Sequence, residues 1–200
     1  MKGHPCFAAT YDFMMRWVEA GLLGPFRQRI VGQASGCVLE IGAGTGASFS
    51  YYRPAQRLVA TEPDPFMLPR ARRRARELGL QVVLVECLAE ELPFPEASFD
   101  VVISTLVLCT VADPARSLSE IRRVLKPGGS LRFIEHVRFD GARGNIQDRL
   151  VPIWSYLTAG CQPNRRTVEN IEAAGFAIAE LQYRPTPIAP FVVGVATSAG

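Results

Sequence analysis

Long apolar runs are missing from this sequence. No window reaches the roughly 18 unbroken apolar residues of a membrane span, and the start, Met1-Lys2-Gly3-His4-Pro5, has no apolar core of a secretory signal. These absences lead to the expectation of a soluble, cytoplasmic protein. The five cysteines, Cys6, Cys37, Cys87, Cys109 and Cys161, are scattered, with no C-x-x-C pair and no Cys/His cluster in the spacing. An odd, dispersed set argues for a reducing compartment and against structural zinc, so no metal is expected. Internal repeats are also absent, and the Pro185, Pro187 and Pro190 segment is too short to link two domains.

What is present fits an ordinary globular chain. Two hundred residues, 48% hydrophobic and 20% charged, suffice for one domain with its own core. That domain is expected to span 1–200, with a helical preface over 1–35 and a core over 36–200 that ends in a strand pair. The net charge of +3 owes much to Arg70, Arg72, Arg73, Arg74 and Arg76. Their place in a helical stretch reads as a solvated face rather than a nucleic-acid patch. Consistent with this, the Asn/Asp-Pro-Pro-aromatic motif of nucleic-acid amino methylation is missing, and no nucleic-acid partner is expected.

Along the preface, Phe7, Tyr11, Phe13, Met14, Trp17, Val18, Leu22 and Leu23 recur at helical spacing up to a break near Gly24-Pro25. Strand-like and helix-like blocks then alternate. Strands are predicted at Cys37–Ile41, Arg57–Glu62, Gln81–Glu86, Phe99–Thr105 and Ser130–His136. Helices are predicted at Gly46–Tyr52, Pro65–Leu78, Pro114–Leu125, Asn145–Leu157 and Asn164–Ala174. Two last strands, Ala177–Tyr183 and Phe191–Thr197, are expected to pair antiparallel. Strands joined by helices require a mostly parallel sheet with both faces covered, and such sheets bind ligands at the carboxyl ends of their strands. The expected fold is therefore α/β, with a doubly wound, mostly parallel seven-stranded sheet whose last strand is antiparallel.

The most informative stretch is Val38-Leu39-Glu40-Ile41-Gly42-Ala43-Gly44-Thr45-Gly46, an apolar strand that ends in an acid and then in alternating glycines. Glycine accepts positive φ and lets backbone N–H groups approach a ligand closely. Glu62 ends the next predicted strand, where a carboxylate is placed to accept hydrogen bonds from the ribose hydroxyls of a nucleoside. A dinucleotide oxidoreductase is the competing reading, since Gly42-x-Gly44-x-x-Ala47 fits a loose nucleotide fingerprint. Glu40 weighs against it, because a carboxylate just before the turn would repel a pyrophosphate but suits an ammonium.

These residues resemble the S-adenosylmethionine-binding motifs of the Rossmann-like class I methyltransferases, and the resemblance runs from about Tyr11 to Ala196. It implies S-adenosylmethionine as cofactor and S-adenosylhomocysteine as product. It also implies that Glu40, Gly42, Ala43, Gly44 and Gly46 cradle the methionine half, that Glu62 holds the ribose, and that Pro63 and Met67 lie along the adenosine. Ala89-Glu90-Glu91-Leu92-Pro93-Phe94 resembles the adenine-contacting loop, with Leu88 where the family carries an acid; this leaves the Ala89 backbone and the Glu90 carboxylate as contacts. Phe99-Asp100-Val101-Val102 and the turn Lys126-Pro127-Gly128-Gly129 complete the pattern.

A narrower resemblance, to a subgroup that includes alkyl thiol methyltransferases, rests on Ser104–Cys109, on Phe133-Ile134-Glu135-His136-Val137, and on Gly160-Cys161-Gln162-Pro163-Asn164-Arg165. The subgroup shows His-Leu where this chain has Gln162-Pro163. The implied activity is methyl transfer to a small acceptor, foremost a thiol, with an amine or phospholipid head group, or a cofactor-binding module without turnover, as the alternatives; a lipid acceptor would add peripheral membrane contact.

Methyl transfer from a sulfonium needs mainly a positioned, deprotonated acceptor. His136, at the carboxyl end of a predicted strand, is the candidate base or orienter. Thr105 ends its strand near the expected methyl position, and Tyr11 is a candidate lid over the cofactor. Cys109 reads as a small buried hydrophobe, and Arg165 and Arg166 as charged residues of a first helical turn.

Overall fold

The computed structural model describes residues 4–53 and 57–198. Residues 1–3, to which the reading of the chain start applies, lie outside them, as does the Cys6 side chain. Seven strands, β1 (Cys37–Ile41), β2 (Arg57–Thr61), β3 (Val82–Val85), β4 (Phe99–Thr105), β5 (Leu125–His136), β6 (Phe176–Arg184) and β7 (Phe191–Ser198), form one sheet in the order β3-β2-β1-β4-β5-β7-β6. Neighbours from β3 through β5 are parallel, and β7 runs antiparallel to both β5 and β6. The expected seven-stranded, mostly parallel sheet with an antiparallel last strand is the one found.

The strand sequences are apolar on both sides because both faces are covered. Leu39, Val102, Leu131, Phe133 and Val192 pack on one face with Leu118, Ile121 and Ile171. Val38, Val101, Ile103, Ile134 and Val193 pack on the other with Ile30, Ala71 and Ala75. Alternation along each strand thus feeds two cores at once. The helices supplying these contacts are α2 (Gly24–Ile30) and α3 (Leu68–Glu77) on one face, and α4 (Pro114–Val124) and α6 (Thr167–Ala173) on the other. Along α3, Leu68, Ala71 and Ala75 are buried while Arg72, Arg73 and Arg76 stay exposed, as the solvated-face reading expects.

The preface forms α1 (Pro5–Val18), a π-helical turn (Glu19–Leu23) and α2 without leaving the helical path. Pro25 lacks an N–H and its ring crowds the carbonyl four residues back. The wider turn before it relieves this, with the Gly24 N–H donating to the Glu19 carbonyl. Arg27 holds the joint from the body side through Nε and Nη2, each 2.8 Å from one oxygen of Glu19.

Three local expectations need correction. The predicted helix at Gly46–Tyr52 is a series of turns with a short 3-10 segment, Phe49–Tyr51. The Lys126-Pro127-Gly128-Gly129 turn is carried within β5, where Gly128 takes a φ of +74° and the register against β4 shifts between Phe99 and Val101. The helix predicted from Pro65 starts at Leu68, because Asp64 Oδ1 takes the Phe66 and Met67 N–H groups into a turn first. From β1 the chain proceeds outward to β2 and β3, then returns to place β4 on the other side. The crevice at the carboxyl ends of β1 and β4 is the topological switch point, where such sheets bind ligands.

Candidate active site

The loop after β1 holds three glycines at positive φ, each for its own reason. At Gly42 a Cβ would stand 2.6 Å from Val107 Cγ2, and at Gly46 it would stand 2.6 Å from the Phe49 ring, so both are required by packing. At Gly44 (φ +59°) a Cβ would meet no atom within 4 Å. Gly44 therefore opens onto space that no side chain fills, the property of a cradle. The Ala43 N–H donates to the Thr61 carbonyl at 2.8 Å, which locks the loop to the end of β2.

Glu62, the next residue after β2, accepts from the Gly44 N–H at 2.7 Å and the Asp64 N–H at 2.8 Å. Burial pushes its carboxyl above the ordinary range, and the two amides pull against that shift. It therefore sits beside Gly44 at the rim of the glycine loop. Pro63 follows it directly, and Met67 is buried at the head of α3. Ala89 is buried in the loop after β3. The Glu90 carboxylate is already engaged, with Oε1 accepting the Ala112 N–H at 2.7 Å, so it braces the loop rather than reaching freely toward a base.

Glu40 lies beneath the loop. It is almost fully buried, accepts a hydrogen bond from the Tyr52 hydroxyl at 3.0 Å, and has its carboxyl raised by burial against the pull of Ser48 and Arg27. Arg27 Nη1 in turn reaches Ser48 Oγ at 2.5 Å. An internal network thus joins Glu40 to the preface, and its charges support the cradle from below.

Helix α1 crosses the same region. The His4 N–H donates to Asp64 Oδ2 at 2.9 Å, and Thr45 Oγ1 donates to Asp12 Oδ1 at 2.5 Å. Tyr11 sits between these ties with its ring 5.3 Å from Phe7, and burial pushes its hydroxyl pKa up to about 12. The outer side of the helix is left apolar, with Phe13 at 74% and Trp17 at 75% exposure.

At the end of β4 the Thr105 hydroxyl is buried without a hydrogen-bond partner. The loop that follows is pinned from two sides. Glu135, wholly buried on β5, accepts from Ser104 Oγ at 2.6 Å and from the N–H groups of Val107, Leu108 and Cys109. Arg165 donates to the carbonyls of Leu108 and Val111 at 2.5 and 2.6 Å. The arginine expected in a first helical turn is instead a clamp on this loop.

The next residue on β5, His136, points elsewhere: its Nδ1 is 3.5 Å from Cys161 Sγ, which is 3.6 Å from Cys109 Sγ. The hydrogen bond it shares with Cys109 and the neighbouring imidazole hold the Cys161 thiol well below its ordinary value, whereas the same hydrogen bond and burial push Cys109 up. Linear spacing had shown no Cys/His cluster; the fold builds one from residues on three separate segments.

Comparison with known proteins places these features in a family. A methyltransferase domain model matches residues 39–133. The chain is 35% identical over 169 residues to the rat (Rattus norvegicus) thiol S-methyltransferase TMT1B, which spans 80% of this chain and 69% of that protein. It is 36% identical over 136 residues to a phosphatidylethanolamine N-methyltransferase of Cereibacter sphaeroides, covering 66% of each. Among solved structures, a SAM dependent methyltransferase from Aquifex aeolicus superposes with a TM-score of 0.68 at 20% identity, over 98% of this chain and 99% of that one. Methyltransferases of this kind take S-adenosylmethionine, and the residues here fit it: open space at Gly44, a carboxylate beside it at Glu62, and a buried Thr105 hydroxyl with no hydrogen-bond partner among the described residues. Kinship at this level over two-thirds of a relative's length leaves one reading of the cradle, that the chain is an S-adenosylmethionine-dependent enzyme and belongs to the class I methyltransferases.

Proposed function

We propose that the enzyme methylates the sulfur of a small, fairly apolar thiol. The observation that carries this reading is the placement of His136 beside Cys109 and Cys161, on the strand next to the one that ends in Thr105. A thiol reacts as its thiolate, and an imidazole at hydrogen-bonding range promotes that form near neutral pH. The similarity to a thiol S-methyltransferase supports the same acceptor.

In this reading the Gly42-Ala43-Gly44-Thr45-Gly46 loop and Glu40 below it hold the methionine half of the cofactor, and Glu62 holds the ribose. Pro63, Met67 and Ala89 line the adenosine, with Glu90 bracing that loop. S-adenosylmethionine supplies a methyl group already activated on a sulfonium sulfur. Thr105 orients the reacting end, His136 brings the acceptor sulfur to its anion, and Glu135 with Arg165 keeps the intervening loop rigid. Tyr11 and Asp12 bring α1 over the bound cofactor and exclude water.

A second reading, methylation of a phospholipid amine, draws on one observation. Apolar side chains stand exposed on α1 and on α5 (Gly141–Leu157), where Ile153 is 64% and Tyr156 88% exposed. Both readings are tested by incubating the chain with methyl-labelled S-adenosylmethionine and either a short alkyl thiol or phosphatidylethanolamine vesicles. Label in the thiol is the expected result; label confined to the lipid would replace this proposal with the second.

A further inference from the structure

Cys109, His136 and Cys161 have a geometry of their own. The sulfur–sulfur distance is 3.6 Å, Cys161 Sγ is 3.5 Å from His136 Nδ1, and all three donor atoms lie within 4.8 Å of one another. Zinc binds tetrahedrally with bonds of about 2.3 Å to thiolate sulfur and about 2.0 Å to imidazole nitrogen, which sets two sulfurs about 3.8 Å apart and sulfur and nitrogen about 3.5 Å apart. Two of the three separations match these edges to within a few tenths of an ångström, and the third, from Cys109 Sγ to the His136 ring, lies within 4.8 Å.

The segments that carry the three side chains are held by backbone hydrogen bonds. The Cys109 carbonyl accepts the Gln162 N–H at 2.7 Å, and the Cys109 N–H reaches Glu135 Oε2 at 3.4 Å. The His136 carbonyl accepts Thr167 Oγ1 at 2.8 Å, and the Cys161 N–H reaches the Thr158 carbonyl at 3.4 Å. Metal sites depend on such outer contacts to fix their ligands. Two sulfurs and one imidazole select zinc-class ions over magnesium or calcium, and three protein ligands leave a fourth position open, as in catalytic rather than structural zinc sites.

We infer that Cys109, His136 and Cys161 form a binding site for one zinc-class ion, whose open fourth position takes the acceptor as its thiolate. The ion site stands on the geometry of the three side chains; its role in methyl transfer rests on the thiol reading above, with His136 acting on the acceptor sulfur through the ion it holds rather than as a free base. The acceptor S–H gives its proton to solvent as its sulfur joins the ion. That sulfur then forms a bond to the methyl carbon while the carbon's bond to the sulfonium breaks, the electron pair staying on the departing sulfur. The thioether product carries no charge and leaves the ion. Sequence spacing hides the site, since its members are 52 and 25 residues from Cys161.

The test uses the full chain, reduced, stripped with a chelator and reloaded with zinc or with cobalt(II) as a spectroscopic probe. Elemental analysis should give one ion per chain. The cobalt form should show a sulfur-to-metal charge-transfer band, and a short alkyl thiol should shift its visible bands. Cys109→Ser and Cys161→Ser should lose the ion, while Cys37→Ser, at a free cysteine outside the group, should keep it; circular dichroism and cofactor affinity report whether each variant folds. Zinc should restore thiol methylation at least 10-fold over the stripped chain. Full thiol methylation by a stripped chain that binds no cobalt would overturn the ion site and leave the thiol reading intact. One ion per chain with no label in any thiol would overturn its role in methyl transfer and the thiol reading while supporting the site.

Discussion

The half of the crevice proposed to hold the cofactor and the half proposed to hold the acceptor are built by different means. At the carboxyl ends of β1 and β2, contacts at the glycine loop run mainly through backbone, such as the amides of Gly44 and Asp64 that Glu62 accepts from 18 and 2 residues away. At the ends of β4 and β5 they are made by side chains brought from far along the chain. Glu135 takes amides 26 to 28 residues before it, and Arg165 reaches carbonyls 54 and 57 residues away. The first half depends on conformations that only glycine adopts easily, and the second on a buried polar network. One is suited to a fixed cofactor, whereas the other changes its chemistry through a few side chains.

The sharpest way to break this division is His136→Ala, which should lower thiol methylation by on the order of 100-fold or more and leave cofactor affinity unchanged. Single-turnover rates and equilibrium binding separate the two effects; a matching loss of affinity would mean that the halves are not independent. Next comes Gly44→Ala, expected to weaken cofactor binding roughly 10- to 100-fold. Its added Cβ meets no protein atom within 4 Å, so only the strain of positive φ bears on stability. Gly46→Ala is its counterpart. Crowding Phe49, it should destabilise by about 1–3 kcal/mol in denaturant titrations.

Tyr11→Ala has a smaller expected effect. If α1 covers the cofactor, the dissociation constant rises several-fold to roughly 10-fold; a fall in melting temperature with unaltered binding would assign Tyr11 to packing alone. Asp100→Asn is the control, since it belongs to neither half. Asp100 accepts Lys126 Nζ at 2.7 Å and the Cys37 N–H at 2.8 Å, contacts that hold its carboxyl below the ordinary range. A depressed carboxyl stabilises the fold above its unfolded value near pH 4, and that contribution is lost as pH falls through the folded value. The variant should therefore cost about 1 kcal/mol or less at pH 7, less still at pH 3, with affinity and rate unmoved.

The same division explains what could be read in the sequence. The strands and the glycine loop were legible because short continuous apolar runs and closely spaced glycines are local signals. Glu62 was legible as the residue that ends a predicted strand. The Gly46–Tyr52 segment was misread as helix because its apolar residues at helical spacing pack Phe49 under Gly46 instead. Glu135 and Cys161 were not legible as site residues, since nothing in a linear spacing shows that a carboxylate will meet three amides or that two distant thiols will meet an imidazole. Arg165 was misread for the same reason.

The π turn at Glu19–Leu23 amounts to one residue more than an α-helix needs over that stretch. Each α-helical residue advances the side chains by about 100°. That extra residue therefore sets the azimuth of all of α1, deciding that Tyr11 and Asp12 look toward the glycine loop while Phe13 and Trp17 look away. Removing one residue there, at Gly21 where a side chain would meet no neighbour within 4 Å, would turn the inner and outer faces of α1 about its axis. The azimuth of α1 is thus indexed by a single residue of chain length, apart from any contact the helix makes.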